Sequence, residues 1–531
     1  MKKLLSLLLA LCLTATLAGA AFAEVDKANY TPFAETVVLT AAKNDTFSFY
    51  GEDDKWVDPE NNPWLTYIKD YLNIEFNYLW ITQNDGENYN TKWNLAMAGG
   101  EIPVVAGINR STYEALYEAG LVADMGEAIE KYASDTLKEF IHGSVEEAYM
   151  TRDGVLYGMP DVRPSMDNYD TLVIRKDWMD KVGVEEVPTT IEGIIELGRK
   201  FVDAGLGKYV FAIGGAQPYS SWGGLFGFFE GYGIGWGGGF WDKDEEGNLY
   251  YGMTDDRMVD ALTTLQGLYK EGLLREDYLV SPVADSFNAG EAGIIYSVCW
   301  GPVNTIDLFN LDENADLIAA DIPTVTGEKP QYKLNAVPNQ FIFVSKDATE
   351  QQKEAIIKMW DLQQALWSDM DSDIDWGYHR GANAINNADQ YESSFQYALY
   401  YDEIEHAFTT GDLDSFKTAN GKTYYNRVMN YLAGDKTLAK YYPIYRVPGG
   451  TYNVINTAMK EDRVHNSFYT APETEFMQEN RPMLDEMLVD AANQVIMGAD
   501  ISVWTNAVAE WYATGGQEMT DEVNEWYAAN K

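Results

Sequence analysis

The chain has 531 residues, a formal net charge of −45 from 83 Asp and Glu against 38 Lys and Arg, and 46% hydrophobic residues. That length exceeds one core, so two or more domains are the default, and the charge excludes nucleic acid and anionic lipid headgroups as partners. Aromatics at 14%, with 36 Tyr and 15 Trp, suit a protein that stacks flat ligands on flat side chains.

Residues 1–23, MKKLLSLLLALCLTATLAGAAFA, join two lysines to an apolar run and end in Ala21-Phe22-Ala23, the small-x-small pattern of a signal-peptidase site. An exported, extracytoplasmic protein starting at Glu24 is expected. The apolar run is too short for a membrane anchor and has no basic stop-transfer flank. Cys12 follows Leu11, where a lipoprotein acceptor has a small residue, so a lipid anchor at Cys12 is not expected. Cys299 would then be the one cysteine left, a small core residue with no internal disulfide.

Residues 24–45 read as a loose leader, and FSFYGEDDK (47–55) as the first strand. PWLTYIKDYLN is a helix, IEFNYLWI a second strand, TKWNLAMAGGE a helix capped by Gly99-Gly100, IPVVAGI a third strand and STYEALYEAGLVADM a helix. This alternation is the α/β rhythm of a mostly parallel sheet. TLVIRKDWMDKVG repeats it as strand into helix, followed by TTIEGIIELGRKFVDAG, a helix begun by a Thr cap, and the strand YVFAIGG. PYSSWGGLFGFFEGYGIGWGGGFW has no clear period and reads as a structured loop or short helices. DALTTLQGLYKEGLL is an amphipathic helix, and GIIYSVCW a buried strand ending on Trp300 before the Gly301-Pro302 turn. QFIFVSKDATEQQKEAIIKMWDLQQALW is strand, cap and long helix, and the remainder is mainly helical. No low-complexity linker cuts the chain, so it is expected to cross between two lobes more than once.

Several motifs carry less chemistry than their letters imply. Gly233, Gly235 and Gly238 form a G-x-G-x-x-G, but a hairpin-like segment follows where a dinucleotide site has a helix. DKDEEGN imitates a calcium loop, yet its twelfth position is Met253, which cannot ligate a hard cation. Asp369, Asp371 and Asp373 of DMDSDIDWG have ligand-like spacing and are read as a solvated acidic loop; no metal and no cofactor are expected. The four histidines make no H-E-x-x-H and the chain has no G-x-S-x-G elbow. A glycosidase needs only two nearby carboxylates, which 83 acids leave open as an alternative.

KWNLAMAGGEIPVVAGINRSTYEALYEAGLVADMGEAIEKYA, DGVLYGMP, LVIRKDWMDKVGVEEVPTTIEGIIELGRKF, GLYKEGLL and FNAGEAGIIYSVCW occur in an order that resembles family 1 extracellular solute-binding proteins of bacterial ABC importers. The resemblance runs from roughly residue 85 to 370 and is strongest to the large oligosaccharide-binding, LplA-like branch. The chain departs from that pattern at Val104, where Asp is common, and in running through VDAGLGKYVFAIGG without the calcium loop that many large members carry.

The resemblance implies an α/β, two-lobe periplasmic-binding-protein-like fold of type II, with a ligand cleft between lobes joined by crossing strands. The limits it implies are 24–162 for the first part of lobe 1, 163–300 for the first part of lobe 2, 301–368 for the rest of lobe 1, and 369–531 for a mainly helical completion of lobe 2 and the C-terminal region. It implies a monomer that captures an oligosaccharide, docks on the membrane subunits of an ABC permease and is not an enzyme. Trp300, at the end of the second crossing segment, then becomes a platform for the apolar face of a sugar, with interlobe packing as its competing role. The same logic selects Asn109, Arg110 and Ser111 after the third strand, Tyr50 and Asp53 after the first, and Arg163 at the first crossing. Trp222, Tyr232 and Trp236 of the aperiodic loop, and Trp376, His379 and Arg380 of the acidic turn, complete the ligand candidates.

Overall fold

The computed structural model describes residues 30–45, 60, 63–83, 85–162, 169–215, 223–334, 338, 340–368, 396–417 and 419–530. The leader 1–29 and the FSFYGEDDK strand lie outside them, as do Tyr50, Asp53, Arg163, Trp222, Trp376, His379, Arg380 and the acidic Asp369, Asp371 and Asp373. Two compact units divide the chain: Met1–Ala106, Ala348–Asp389 and Thr418–Asn420 form the smaller, and Gly107–Asp347, Gln390–Lys417 and Gly421–Lys531 the larger. The chain passes from one to the other several times, consistent with the absence of a linker.

In the smaller unit the strand Val37–Asp45 falls inside the segment read as a loose leader. Its Ala-Ala-Lys-Asn-Asp half has little β-propensity of its own, and pairing on both sides makes it a strand. Ile74–Gln83 runs parallel to it from Val37↔Ile74 to Asp45↔Gln83, with a bulge between Ala41 and Ala42. On its other side Ala41 and Ala42 pair with Val105 and Ala106, also in parallel.

The helix Pro63–Leu72 opens on a proline, whose missing N–H costs nothing in the first turn, and buries Ile68, Tyr71 and Leu72. Asn73 ends it at φ 59°, and its side chain holds the turn by donating to Phe33 O at 2.9 Å and accepting from Lys69 Nζ at 2.7 Å. The helix Glu350–Ser368 packs on this helix and on Val37–Asp45 with Ala355, Ile356, Met359 and Trp360 inward. As expected, Gly100 closes the helix Gly86–Gly99 at φ 78°, its N–H reaching Ala96 O at 2.8 Å.

The larger unit does not continue the parallel order expected from the rhythm. Its central strand Asp170–Arg175 is flanked antiparallel by Ile294–Val298 and by Leu317–Ala320. The segment between the first two carries several helices and a hairpin, and returns the chain in the opposite direction. All six residues of Asp170–Arg175 are buried, which is why Leu172, Val173 and Ile174 follow one another without alternation. YVFAIGG is not a full strand; it makes only isolated parallel bridges, Tyr209↔Ala292 and Ala212↔Ile295.

The helix Ile191–Asp203 begins as the sequence implies, with Thr190 Oγ1 accepting from Gly193 N at 3.0 Å. Gly198 lets this helix pack closely: a Cβ there would stand 2.6 Å from Val210 Cγ1. GIIYSVCW ends as a strand at Val298, so Cys299 and Trp300 already belong to the following turn. Cys299 is buried and its thiol is not part of a disulfide.

Candidate functional site

The acidic turn DKDEEGN joins the strands Trp241–Lys243 and Leu249–Tyr251 into a hairpin. Trp241 donates its N–H to Ser467 Oγ at 3.0 Å and accepts from Phe468 N at 2.9 Å, which fastens the hairpin to the segment before the helix Glu475–Ile496. Together with Arg110 these elements enclose a cavity of ≈ 260 Å³. Trp241, Tyr469, Ala471, Met477 and Met519 form its apolar wall, and Arg110, Glu473 and Arg481 are its charged side chains. All of them belong to the larger unit.

Arg481 crosses between two carboxylates. Its Nε donates to Glu473 Oε1 at 2.6 Å and its Nη1 to Asp485 Oδ2 at 2.7 Å. Burial pushes the Asp485 carboxyl above the usual carboxylate range, against the opposing pull of the Tyr251 hydroxyl, which donates to it at 2.6 Å, and of Arg481. Gly238 and Gly239 complete the lining. Gly239 adopts φ 87° and donates its N–H to Tyr251 OH at 3.0 Å. The glycines of the G-x-G-x-x-G serve close packing: a Cβ on Gly233, Gly235 or Gly238 would stand 2.5 Å from Arg257 Nη1, 2.2 Å from Phe240 Cδ1 or 2.5 Å from Arg481 Nη1.

Arg110 is held differently. Its Nε donates to Tyr149 OH at 2.6 Å, its Nη2 to Ala471 O at 3.1 Å, and its guanidinium carbon lies 5.1 Å from the centre of the Tyr149 ring. The Tyr149 hydroxyl donates to Glu114 Oε1 at 2.9 Å, and Glu114 is paired with Arg152 at 2.9 Å. The phenol of Tyr149 is pushed up, chiefly by burial.

Of the other described candidates, Asn109 caps the helix Arg110–Glu118, accepting from Thr112 N at 2.9 Å and from Ser111 Oγ at 3.1 Å. Both Asn109 and Ser111 are exposed. Tyr232 and Trp236 are placed otherwise than a ligand-facing loop requires. Tyr232 hydrogen-bonds Thr264 Oγ1 at 2.9 Å and packs on Phe228, while Trp236 is 3% exposed and stacks on Phe229 at 4.8 Å. The glycines around them let the loop fold its large rings into the core.

Trp300 is 36% exposed, at a turn whose Cys299 carbonyl accepts from Thr451 Oγ1 at 2.5 Å. The next turn, Gly301–Asn304, packs on Lys436–Tyr441 and Tyr442–Tyr445. There Tyr424 and Tyr445 stack at 4.5 Å and Arg427 lies 4.6 Å over Tyr441. The structure does not bring Trp300 into the cavity lining. Sequence reasoning missed Tyr469, Glu473, Met477, Arg481 and Met519, which sit in the C-terminal helical part with no motif to mark them.

Residues 55–359 match the model of the bacterial extracellular solute-binding protein family. The chain belongs to that family. The solute-binding protein is 23% identical over 509 residues to Lipoprotein LipO of Bacillus subtilis (strain 168), covering 89% of its own chain and 90% of the relative. It superposes on an extracellular solute-binding protein from Bifidobacterium longum subsp. infantis with a TM-score of 0.59 at 14% identity, covering 94% of its own chain and 99% of the other. A solute-binding protein of the same species, described as HMO-binding and ABC-transporter-associated, gives 0.54 at 15% identity, covering 93% and 98%. These likenesses show the two-lobe periplasmic-binding fold. No helix among the described residues is long and apolar enough to cross a membrane. That LipO is a lipoprotein leaves the expected absence of a lipid at Cys12 without support.

Proposed function

We propose that this solute-binding protein is the extracytoplasmic component of an ABC importer, capturing an oligosaccharide and delivering it to the membrane permease. The observation that carries the reading is the composition of the cavity. The guanidiniums of Arg110 and Arg481 with the Glu473 carboxylate offer partners for a sugar's hydroxyls, over a mostly buried apolar side of Trp241, Tyr469 and Met477. At ≈ 260 Å³ the space lies below the roughly 300–1,000 Å³ of whole-ligand pockets, which suits one part of a longer chain. The HMO-binding relative supports the same class of ligand.

The lobe limits implied by the resemblance, 24–162 with 301–368 and 163–300 with the C-terminal part, differ from the two compact units, which place 107–162 and 301–347 with the larger. Asn109, Ser111 and Trp300 belong to the proposed ligand surface, and the protein acts as a monomer, its export directed by the leader. A glycosidase is the second reading. Among the described lining residues Glu473 is the only acid, and it is already bonded to Arg481, whereas hydrolysis needs two carboxyl groups. The test is a thermal-shift screen over oligosaccharides with products followed by chromatography. A cognate sugar at 100 times its Kd stabilises the fold by about 2.7 kcal/mol and is recovered intact. Turnover of any sugar would overturn the binding-only reading.

A further inference from the structure

Ten arginines lie among the described residues, and eight of them have a carboxylate oxygen within 4.0 Å. The two without one are Arg110 and Arg427. Arg427 rests on the faces of Tyr424 and Tyr441, whereas Arg110 lines the cavity. With 83 acids to 38 bases, a carboxylate partner is the ordinary outcome for an arginine of this chain. Arg110 instead bonds two neutral oxygens, a phenol and a backbone carbonyl, through Nε and Nη2. The nearest carboxylate in its relay, Glu114, is already neutralised by Arg152.

The cavity's remaining charges do not balance it either. Glu473 faces Arg481, so the charged lining carries one excess positive charge. Behind Arg481, Asp485 is committed to Arg481 Nη1 at 2.7 Å and to the Tyr251 hydroxyl at 2.6 Å, and makes no ion pair with Arg110. A half-buried guanidinium without a counter-charge is costly, and a ligand that supplies one recovers that cost. A planar guanidinium is also matched to a carboxylate by geometry as well as charge. The strongly negative surface repels such a ligand at long range, but salt confines that repulsion to about 8 Å in physiological buffer.

We propose that the cavity selects a carboxylated sugar, such as a uronate residue within an oligosaccharide, with Arg110 pairing with its carboxylate. The proposal rests on the sugar-binding reading of the same cavity.

The experiment is calorimetric titration, at about 0.15 M salt, of short oligosaccharides containing galacturonate, glucuronate or mannuronate. Each is paired with its carboxyl-reduced counterpart and run with neutral oligosaccharides. One acidic sugar is expected to bind at least roughly tenfold more tightly than its reduced form. Arg110→Gln should remove that preference, and Arg110→Lys should keep part of it. Tyr149→Phe, which removes one of the two bonds on the guanidinium but keeps its charge, should retain the preference for the acidic sugar while it lowers the melting temperature, which separates charge pairing from folding. A reduced or neutral sugar binding as tightly as every acidic one overturns the carboxylate proposal and leaves the sugar reading standing. So does an acidic sugar that binds Arg110→Gln unchanged. If no sugar of either kind binds, the sugar reading falls and the carboxylate proposal with it.

Discussion

A Cβ on Gly238 would stand 2.5 Å from Nη1 of Arg481. The same guanidinium is fixed by Glu473 at 2.6 Å and Asp485 at 2.7 Å, so it cannot withdraw without giving up a charge-assisted bond. Gly238→Ala should therefore displace Arg481 at an off-rotamer cost of about 0.5–1.5 kcal/mol. The expected result is a small fall in melting temperature and a sugar affinity lower by roughly tenfold. Unchanged affinity by calorimetry would remove Arg481 from the ligand surface.

Trp300→Ala tests the exposed indole. The ring is partly out of the core, so the fold should survive with little change in melting temperature. If it stacks on a sugar, binding weakens by roughly 1–3 kcal/mol. Wild-type affinity in the mutant would give Trp300 to packing against the neighbouring turns.

Glu230 gives the stability a pH dependence of known sign. It is buried, with Oε1 accepting from Lys333 N at 2.7 Å and Oε2 without a hydrogen-bond partner among the described residues. Burial, only partly offset by Lys333, pushes its carboxyl up to about 8. Asp170, also buried with Oδ1 unpartnered, is raised by burial and by Glu230.

Because the folded pKa of Glu230 lies above its ordinary value of 4.5, the native state holds a proton that the unfolded state releases. Stability from this group is full below 4.5 and falls as pH rises toward about 8, by up to ~1.4 kcal/mol per pH unit. Urea unfolding between pH 5 and about 8 should show a shallower fall for Glu230→Gln than for the wild type. Equal slopes would refute the assignment.

Chelation should leave sugar binding intact. In the DKDEEGN turn Asp244 accepts from Asn248 N at 2.7 Å, closing the hairpin, and Asp242 is paired with Lys333 at 2.7 Å. These carboxylates already have work in the fold. EDTA is expected to leave the melting temperature unchanged. A drop of several degrees that calcium alone reverses would establish a structural ion, with Asp369, Asp371 and Asp373 the first residues to mutate.

Local signals in the sequence were enough for much of this protein. The proline start of Pro63–Leu72, the Thr190 cap and the Gly100 stop are encoded by adjacent residues, so each was readable without tertiary context. The block order gave the family, and Met253 ruled out a calcium loop in the hairpin turn. The strand Val37–Asp45 was not readable, because alanines and polar residues become a strand only between two partners. Nor was the antiparallel setting of Asp170–Arg175, since strand direction depends on where the chain returns rather than on the strand's own residues.

The same division runs through the site. Arg110 could be picked from its place after a strand, but its lack of a carboxylate partner could not. That depends on Tyr149, Ala471 and Arg152, which are distant from it in sequence. Trp236 and Trp300 look alike as aromatics beside glycines, and packing alone buries one and exposes the other. Sequence fixes which side chains are on hand. Which of them are left with unmet charge or an open face is decided by long-range packing, and ligand chemistry depends on that.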